Sequence, residues 1–234
     1  RRTNDVCEYA KTLYNEYFPE LKDSVLENME WEIYLYRQIS LSEDKLVFGR
    51  RGFDLQQMWG LYADNGYGVC LVFDKDEIIG SLPDGCVSGA VNYGTDITPC
   101  TMTNVHCNND VQHYIKGYIK TIFFNKRKEW EHEQEYRILN RFNGNECEEY
   151  LPFYNSLKYI ILQNSRTINA NDSILNSYEY NCLSRLLQKD IHILVYNSFV
   201  NKQSLFCYDT DNDGMELWNS DEDYTKLSDI DTNH

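Results

Sequence analysis

The sequence predicts an α+β fold in which a mixed, largely antiparallel sheet is flanked by helices. Helical and strand patterns are mixed along the chain without the strict β-α-β order of a parallel sheet. Strand patterns also recur next to one another, as they do in hairpins. The 234 residues, of which 42% are hydrophobic, are enough to bury a sizeable core.

The N-terminal half of the chain carries two helices, a strand, a short helix and an apolar strand. Pro19 separates the two helices, because proline does not fit a helix interior. Asp54 precedes the short helix as its expected cap. Residues 68–73 contain almost no polar side chain, which predicts a strand at the centre of a sheet. The predicted elements are helices at 5–17 and 19–29, a strand at 33–42, the helical stripe Leu55, Met58, Trp59 and Tyr62, and strands at 68–73 and 87–93.

The C-terminal half begins with the clearest helix, at residues 109–125. Its acidic start and basic end suit the helix dipole. Its apolar stripe consists of Val111, Tyr114, Ile115, Tyr118 and Ile122. We expect this helix to form one core with Trp59, Tyr62, Val69, Leu71 and Phe73. Further predicted elements are strands at 135–142, 149–154 and 158–164, a helix from Asn171 or Asp172 to about residue 188, and strands at 192–197 and 204–208.

Three regions are predicted along the chain, and its composition limits their function. An N-terminal helical segment at 1–32 precedes an α+β domain at 33–208 and an acidic C-terminal hairpin or tail at 209–234. The net charge of −15 argues against general affinity for nucleic acid or anionic membranes. No run approaches the roughly 20 apolar residues of a membrane span. The eight cysteines contain no C-x-x-C pair, and no apolar signal segment is visible, which favours reduced thiols in a cytoplasm.

The most informative stretch runs from Trp130 to Leu139 and follows the basic cluster Lys126-Arg127-Lys128. If Glu133 to Leu139 is extended, Tyr136 and Ile138 point toward a core, because strand side chains alternate. The opposite face then carries Glu133, Glu135 and Arg137. Two carboxylates and a guanidinium on one face suit acid-base or electrostatic chemistry. An ordinary ion-paired strand face explains the same pattern.

Several motifs resemble a known family. They are Met58-Trp59-Gly60-Leu61-Tyr62-Ala63-Asp64, Gly68-Val69-Cys70, Val91-Asn92-Tyr93, the run Lys128-x-Trp130-x-x-Glu133-x-Glu135-Tyr136-Arg137, and Leu157-Lys158-Tyr159-Ile160-Ile161-Leu162. In this order they resemble the bacterial domain-of-unknown-function family numbered 2971, over roughly residues 33–200. The family name assigns no activity.

A looser similarity concerns the mono-ADP-ribosyltransferase fold, whose members carry a Ser-x-Ser-like strand and an E-x-E at the start of a later strand. Ser40-Leu41-Ser42 and Glu133-Gln134-Glu135 are the similar segments here. The resemblance implies NAD as cofactor. It implies that Glu135 stabilises the oxocarbenium-like centre formed as nicotinamide leaves, and that Glu133 orients or activates the acceptor. The implied cofactor-binding residues are Ser40, Ser42, Tyr62 or Tyr93 stacked on nicotinamide, Arg127 and Lys128 on pyrophosphate, and Arg137.

Two classes of function remain open from the sequence. The first is an NAD-using ADP-ribosyl-type transferase or glycohydrolase, acting as a toxin or phage-defence effector. The second is a non-catalytic regulatory module that binds a nucleotide-like small molecule or a protein partner.

No metal is expected. Asp209 to Gly214 matches half of a calcium loop, but Ser220 stands where the bidentate glutamate belongs, so a hairpin turn explains this segment better. The nearby Cys100, His106, Cys107 and His113 fit no closed zinc pattern.

Overall fold

The computed structural model describes residues 23–45, 52–64, 68–94, 108–142, 151, 153, 155–163, 191–196, 205–209 and 214–217. The chain divides into two compact units. The first unit comprises residues 1–45 and 83–151, and the second comprises 46–82 and 152–234. The predicted helices at 5–17 and 171–188 lie outside the described residues. The predicted division at 32/33 and 208/209 does not coincide with these units and stays a prediction.

The helices and strands follow one another in mixed order. The helices are α1 (Asp23–Tyr34), α2 (Gln56–Tyr62), α3 (Lys75–Gly80), α4 (Asn108–Gly117) and α5 (Ile119–Phe123). The strands are β1 (Tyr36–Ser42), β2 (Val69–Phe73), β3 (Val87–Ala90), β4 (Asn92–Gly94), β5 (Asn125–Arg127), β6 (Glu135–Arg141), β7 (Leu157–Gln163), β8 (His192–Tyr196), β9 (Leu205–Asp209) and β10 (Gly214–Leu217). Short 3₁₀ turns span Gly52–Asp54 and Lys128–Glu133.

The first unit contains a three-stranded antiparallel sheet in the order β1-β6-β3 and a parallel pair, β4-β5. Helices α1 and α4 pack against each other. Their apolar residues recur every three or four positions, so one face of each helix is buried. Within the described part of this unit, the core includes Val25, Met29, Ile33, Tyr36, Val111, Tyr114, Ile115, Phe123, Phe124 and Leu139. The predicted stripe on 109–125 is therefore buried at Val111, Tyr114 and Ile115, but the helix is interrupted at Tyr118, and residues 125–127 form a strand.

The second unit contains a five-stranded sheet in the order β10-β9-β8-β7-β2. Its pairs are antiparallel except for β7-β8. Among the described residues, its buried core includes Phe53, Trp59, Ile161 and Leu194. The indole Nε1 of Trp59 donates a hydrogen bond to the Phe53 carbonyl oxygen at 2.6 Å, so the ring is fixed by a polar contact as well as by packing.

Two expectations about the apolar strand were wrong. Strand β2 lies at the end of the described sheet order, not at its centre. Val69 and Leu71 are 49% and 44% exposed, whereas Cys70 and Val72 pack against the core of the second unit. Both faces of this strand are apolar, so composition does not reveal which face is buried. The expected single core is also wrong, because Trp59 and helix α4 belong to different hydrophobic clusters.

Other local predictions have mixed outcomes. The α+β class with largely antiparallel sheets is confirmed. The hairpin of β9 and β10 is confirmed by the pairing of Asp209 with Gly214. Helix α2 begins after Leu55, which makes no side-chain cap, so capping by Asp54 is wrong. Leu151 and Phe153 are not in a strand, against the expectation for 149–154. Within the described ranges, no helix is long and apolar enough to cross a membrane.

Candidate functional site

The candidate site lies in the first unit, where a 3₁₀ turn leads into strand β6. Glu133 ends the turn, and Glu135 begins the strand. Gln134, between them, has the left-handed backbone conformation with φ of 45° and ψ of 50°. The alternation predicted for Glu133 is therefore wrong, because that residue is not in an extended segment. Glu135 and Arg137 do share a face of β6, as strand alternation requires.

A network of four charged side chains forms this site. Arg137 binds Glu135 through two parallel contacts, Nε to Oε1 at 2.7 Å and Nη2 to Oε2 at 2.9 Å. Lys126 Nζ, from β5, lies 3.3 Å from Glu135 Oε2 and also contacts Glu133 Oε2. The Nη1 group of Arg137 donates to the Phe123 carbonyl oxygen. Two carboxylates and two cations thus balance one another.

The network is buried. Glu133, Glu135 and Arg137 are 4%, 5% and 6% exposed. The face of β6 that carries Glu135 and Arg137 also carries the core residue Leu139. Lys126 keeps 23% of its side chain exposed, and its ammonium lies 5.1 Å from the centre of the Trp130 ring, where a cation-π contact stabilises it.

The protonation state of Glu135 follows from its contacts. Burial by itself would raise the pKa of this carboxyl group. The hydrogen bonds and charge of Arg137, a hydrogen bond with Ser40 and the charge of Lys126 outweigh burial and hold the pKa of Glu135 below its ordinary value. Glu135 is therefore a carboxylate at neutral pH and not a general acid.

Tyr93 supports the start of β6. Its hydroxyl oxygen accepts a hydrogen bond from the backbone N–H of Glu135 at 2.7 Å. Burial is the main reason that the pKa of Tyr93 rises to about 12, and the negative charges of Glu135 and Glu133 add to it. The phenol is therefore neutral at physiological pH. Tyr93 contacts the site through its hydroxyl group, and its predicted stacking on nicotinamide stays a prediction.

The two predicted serines lie on the neighbouring strand. In the antiparallel pair of β1 and β6, Ser40 is opposite Arg137 and Ser42 is opposite Glu135. Directly opposed residues point to the same face of a sheet, so both serines share the face of Glu135. Both are exposed, and Ser40 hydrogen-bonds Glu135. Gln38, which the sequence did not single out, donates from Nε2 to Ser40 Oγ at 2.8 Å.

The remaining predicted residues are less closely associated with the network. Arg127 and Lys128 have side chains that are 69% and 56% exposed. Arg127 lies 4.0 Å from Glu129, and Lys128 lies 2.6 Å from Glu131. Both residues are therefore exposed cations with an acidic neighbour, at the edge of the buried network.

The charged network does not include Tyr62 or the residues weighed as metal ligands. Tyr62 belongs to the second unit and is 63% exposed. Among the residues that the structure describes, no group of three or more His, Cys, Asp or Glu side chains is placed to hold a metal ion. Cys100, His106, Cys107 and residues 210–213 lie outside those ranges, so the expectations about zinc and calcium stay predictions.

Sequence comparison confirms the family resemblance over part of the chain. Residues 58–138 match the model of a family described as "Protein of unknown function (DUF2971)". The matched range includes Lys126, Glu133, Glu135 and Arg137, whereas Ser40 and Ser42 lie outside it. No curated protein matches the chain, and no solved structure does. The family resemblance thus extends to the buried network and assigns it no chemistry.

Proposed function

We propose that the first unit is an NAD-using ADP-ribosyl-type transferase or glycohydrolase, with Glu135 as its central carboxylate. The register of β1 and β6 supports this proposal. It places Ser40 and Ser42 opposite Arg137 and Glu135, so a serine strand and an acidic strand meet on one sheet face. Glu135 is ionised on that face. A fixed negative charge is what the chemistry requires beside a ribosyl cation.

The reaction would break the bond between the ribose C1′ and the nicotinamide nitrogen of NAD. The bonding electron pair leaves with nicotinamide, and positive charge develops on C1′ and the ring oxygen. Glu135 would stabilise that charge electrostatically. Water or an acceptor nucleophile then bonds to C1′, and Glu133 would take its proton, returning it to solvent. The transfer of ADP-ribose and its hydrolysis differ only in which nucleophile attacks.

Substrate would have to replace a contact of Glu135, because both carboxylate oxygens are engaged. The 3.3 Å contact with Lys126 is longer than either contact with Arg137. A ribose hydroxyl that donates to Glu135 would displace Lys126 at the smallest cost, since this ammonium keeps its contact with Glu133. Arg137 would continue to hold the carboxylate in place.

Stability alone is a weak reason for such a network. Burying charges costs free energy that their attraction only partly offsets, and a well-packed apolar cluster is often at least as stable. Ionisable groups with perturbed pKa values and specific charged partners are enriched at functional sites. The pKa values of Glu135 and Tyr93 are both shifted, and the two residues are joined by a hydrogen bond.

The experiment incubates the purified chain with NAD labelled in its adenylate part, with and without cell extract. Release of nicotinamide and transfer of label to protein are both measured. Glu32→Gln is the matched control for Glu135→Gln. Glu32 is 4% exposed and binds Arg141 through two contacts, at 2.5 and 2.9 Å. Arg141 lies six residues along β6 from Glu135, roughly 20 Å at the rise of a strand.

The expected result is a loss of at least about a hundredfold in turnover for Glu135→Gln. Glu32→Gln should retain wild-type turnover per folded molecule, although it also breaks a buried ion pair. Equal losses of turnover in the two variants would show that the loss comes from breaking a buried ion pair and not from a role of Glu135 in the reaction. An absence of nicotinamide release by the wild-type chain with every acceptor source would refute the enzymatic proposal.

The second candidate is a non-catalytic module that binds a nucleotide-like ligand or a protein partner. The charge balance of the network favours it, because Lys126 and Arg137 neutralise the two carboxylates. Calorimetric titration with NAD separates the two candidates, since binding without turnover supports the module. We place either activity in the cytoplasm. A toxin or phage-defence effector should arrest cell growth when it is expressed, and Glu135→Gln should abolish that arrest.

A further inference from the structure

A row of three rings and one guanidinium lies on the first unit, with two exposed rings at one end and a half-buried guanidinium and ring at the other. Trp31 and Tyr34 of α1 are 64% and 49% exposed, and their rings stack with centroids 6.0 Å apart and an interplanar angle of 26°. The guanidinium carbon of Arg37 lies 5.5 Å from the centroid of Tyr34 and 5.0 Å from that of Phe142. We call Trp31, Tyr34, Arg37 and Phe142 the aromatic array.

Backbone contacts hold the aromatic array in place. Trp31 and Tyr34 are three positions apart on α1, so their side chains lie on one face of the helix. The Nη1 group of Arg37 donates to the Tyr34 carbonyl oxygen at 2.9 Å, and the N–H of Phe142 donates to the Leu35 carbonyl oxygen at 2.7 Å. The Arg37 guanidinium and the backbone at Phe142 are thus fixed, so this part of the array loses little conformational freedom when a partner binds.

We propose that the aromatic array docks an arginine-bearing segment of a protein partner, with a guanidinium seated on the face of Trp31 that does not stack on Tyr34. The array already accommodates one guanidinium, that of Arg37, between two rings. Trp31 stacks on Tyr34, at the end of the row away from Arg37, and indole is the ring that attracts cations most strongly.

Charge complementarity selects a basic partner. Glu27 is exposed and precedes Trp31 by four positions on α1, so its carboxylate is one helical turn from the indole. The whole chain carries a net charge of −15, which attracts basic segments and repels the phosphates of nucleic acid. Trp, Tyr and Arg are also the residues that most often dominate binding energy at protein interfaces.

The probe is a fluorescein-labelled peptide in which arginine and glycine alternate, titrated by anisotropy at physiological ionic strength. A peptide with citrulline in place of arginine removes the charge and keeps the shape. Trp31→Ala should weaken binding by about two- to fivefold, the worth of one exposed cation-π contact. Glu27→Gln should weaken binding and reduce its salt dependence. Tyr118→Ala is the control. Tyr118 is another exposed tyrosine, at 40%, and its ring centroid lies 4.9 Å from that of Tyr114.

Binding that depends on Trp31 and on arginine charge but not on Tyr118 supports the proposal. No measurable binding, equal binding of the citrulline peptide, or unchanged affinity of Trp31→Ala would overturn it. Stronger binding of a single-stranded RNA than of the peptide would overturn it as well. If Trp31→Ala fails to fold, Trp31→Leu and Glu27→Gln decide the outcome, because both keep the helix and remove the ring or the charge.

Discussion

The Glu135→Gln substitution removes one charge from a network in which Glu133 and Arg137 stay buried. Glutamine keeps the size of the side chain, so the effect is electrostatic. Arg137, at 6% exposure, would lose the carboxylate that binds it through two contacts. Breaking a buried pair in this way typically costs roughly 3–5 kcal/mol, because the remaining charge is uncompensated. Lys126 keeps Glu133 as a partner and reaches solvent, so we expect the lower end, about 3 kcal/mol.

Urea denaturation followed by circular dichroism measures this cost. With a slope of roughly 1–3 kcal/mol per molar, the unfolding midpoint should fall by about 1–3 M. Glu129→Gln is the control, because Glu129 is 64% exposed and lies 4.0 Å from Arg127, and its loss should change the free energy of unfolding by less than about 1 kcal/mol.

A double variant makes the prediction sharper. Adding Arg137→Met to Glu135→Gln removes the unpaired charge and should recover part of the lost stability. A Glu135→Gln midpoint equal to that of the wild type, or a double variant as unstable as the sum of the two single variants, would refute the buried pairing of these residues.

Three further predictions concern pH, strand β2 and a close backbone contact. The folded pKa of Glu135 is lowered, so its stabilising effect is present above its unfolded pKa of about 4.3 and is lost as pH falls through the folded value. Urea midpoints of wild type and Glu135→Gln should therefore converge as the pH is lowered below that unfolded value, and a constant gap would contradict this. Leu71→Ala, at 44% exposure, should cost less than about 1.5 kcal/mol by the same assay, whereas Ile161→Ala, at 2%, should cost roughly 2–5 kcal/mol. Equal costs would mean that the faces of β2 are misassigned. Gly68→Ala should lower the melting temperature by several degrees, because its Cβ would lie 2.9 Å from a backbone atom, whereas Gly60→Ala, with nothing within 4 Å, should not.

The parts of the fold that the sequence predicted correctly are those that depend on local periodicity. The stripe of Val111, Tyr114 and Ile115 is buried because residues at helical spacing lie on one face. The β9-β10 hairpin follows from two neighbouring strand patterns, and Gly214, which the sequence assigned to the turn, begins β10 opposite Asp209. The position of β2 could not be predicted in the same way, because long-range pairing decides whether an apolar strand is central or lies at an edge.

The site depends on contacts between residues far apart in the sequence, which no local sequence pattern predicts. The sequence suggested serines on one strand and carboxylates on another, but only the pairing of β1 with β6 sets their register. Lys126 was passed over in favour of Arg127 and Lys128, although Lys126 is the residue that contacts both carboxylates. The available signal was alternation along β5, which turns Lys126 and Arg127 to opposite faces.

The positive character of the basic cluster also depends on the fold. Lys126 is neutralised inside the network, so it is not available to a phosphate group. Arg127 and Lys128 contact Glu129 and Glu131 in solvent, where an ion pair is worth about 0–1 kcal/mol. A pyrophosphate brings more charge than a single carboxylate, so it would exchange these two exposed pairs at little cost. Any anion recognition by this segment therefore depends on Arg127 and Lys128, whereas Lys126 acts on Glu135.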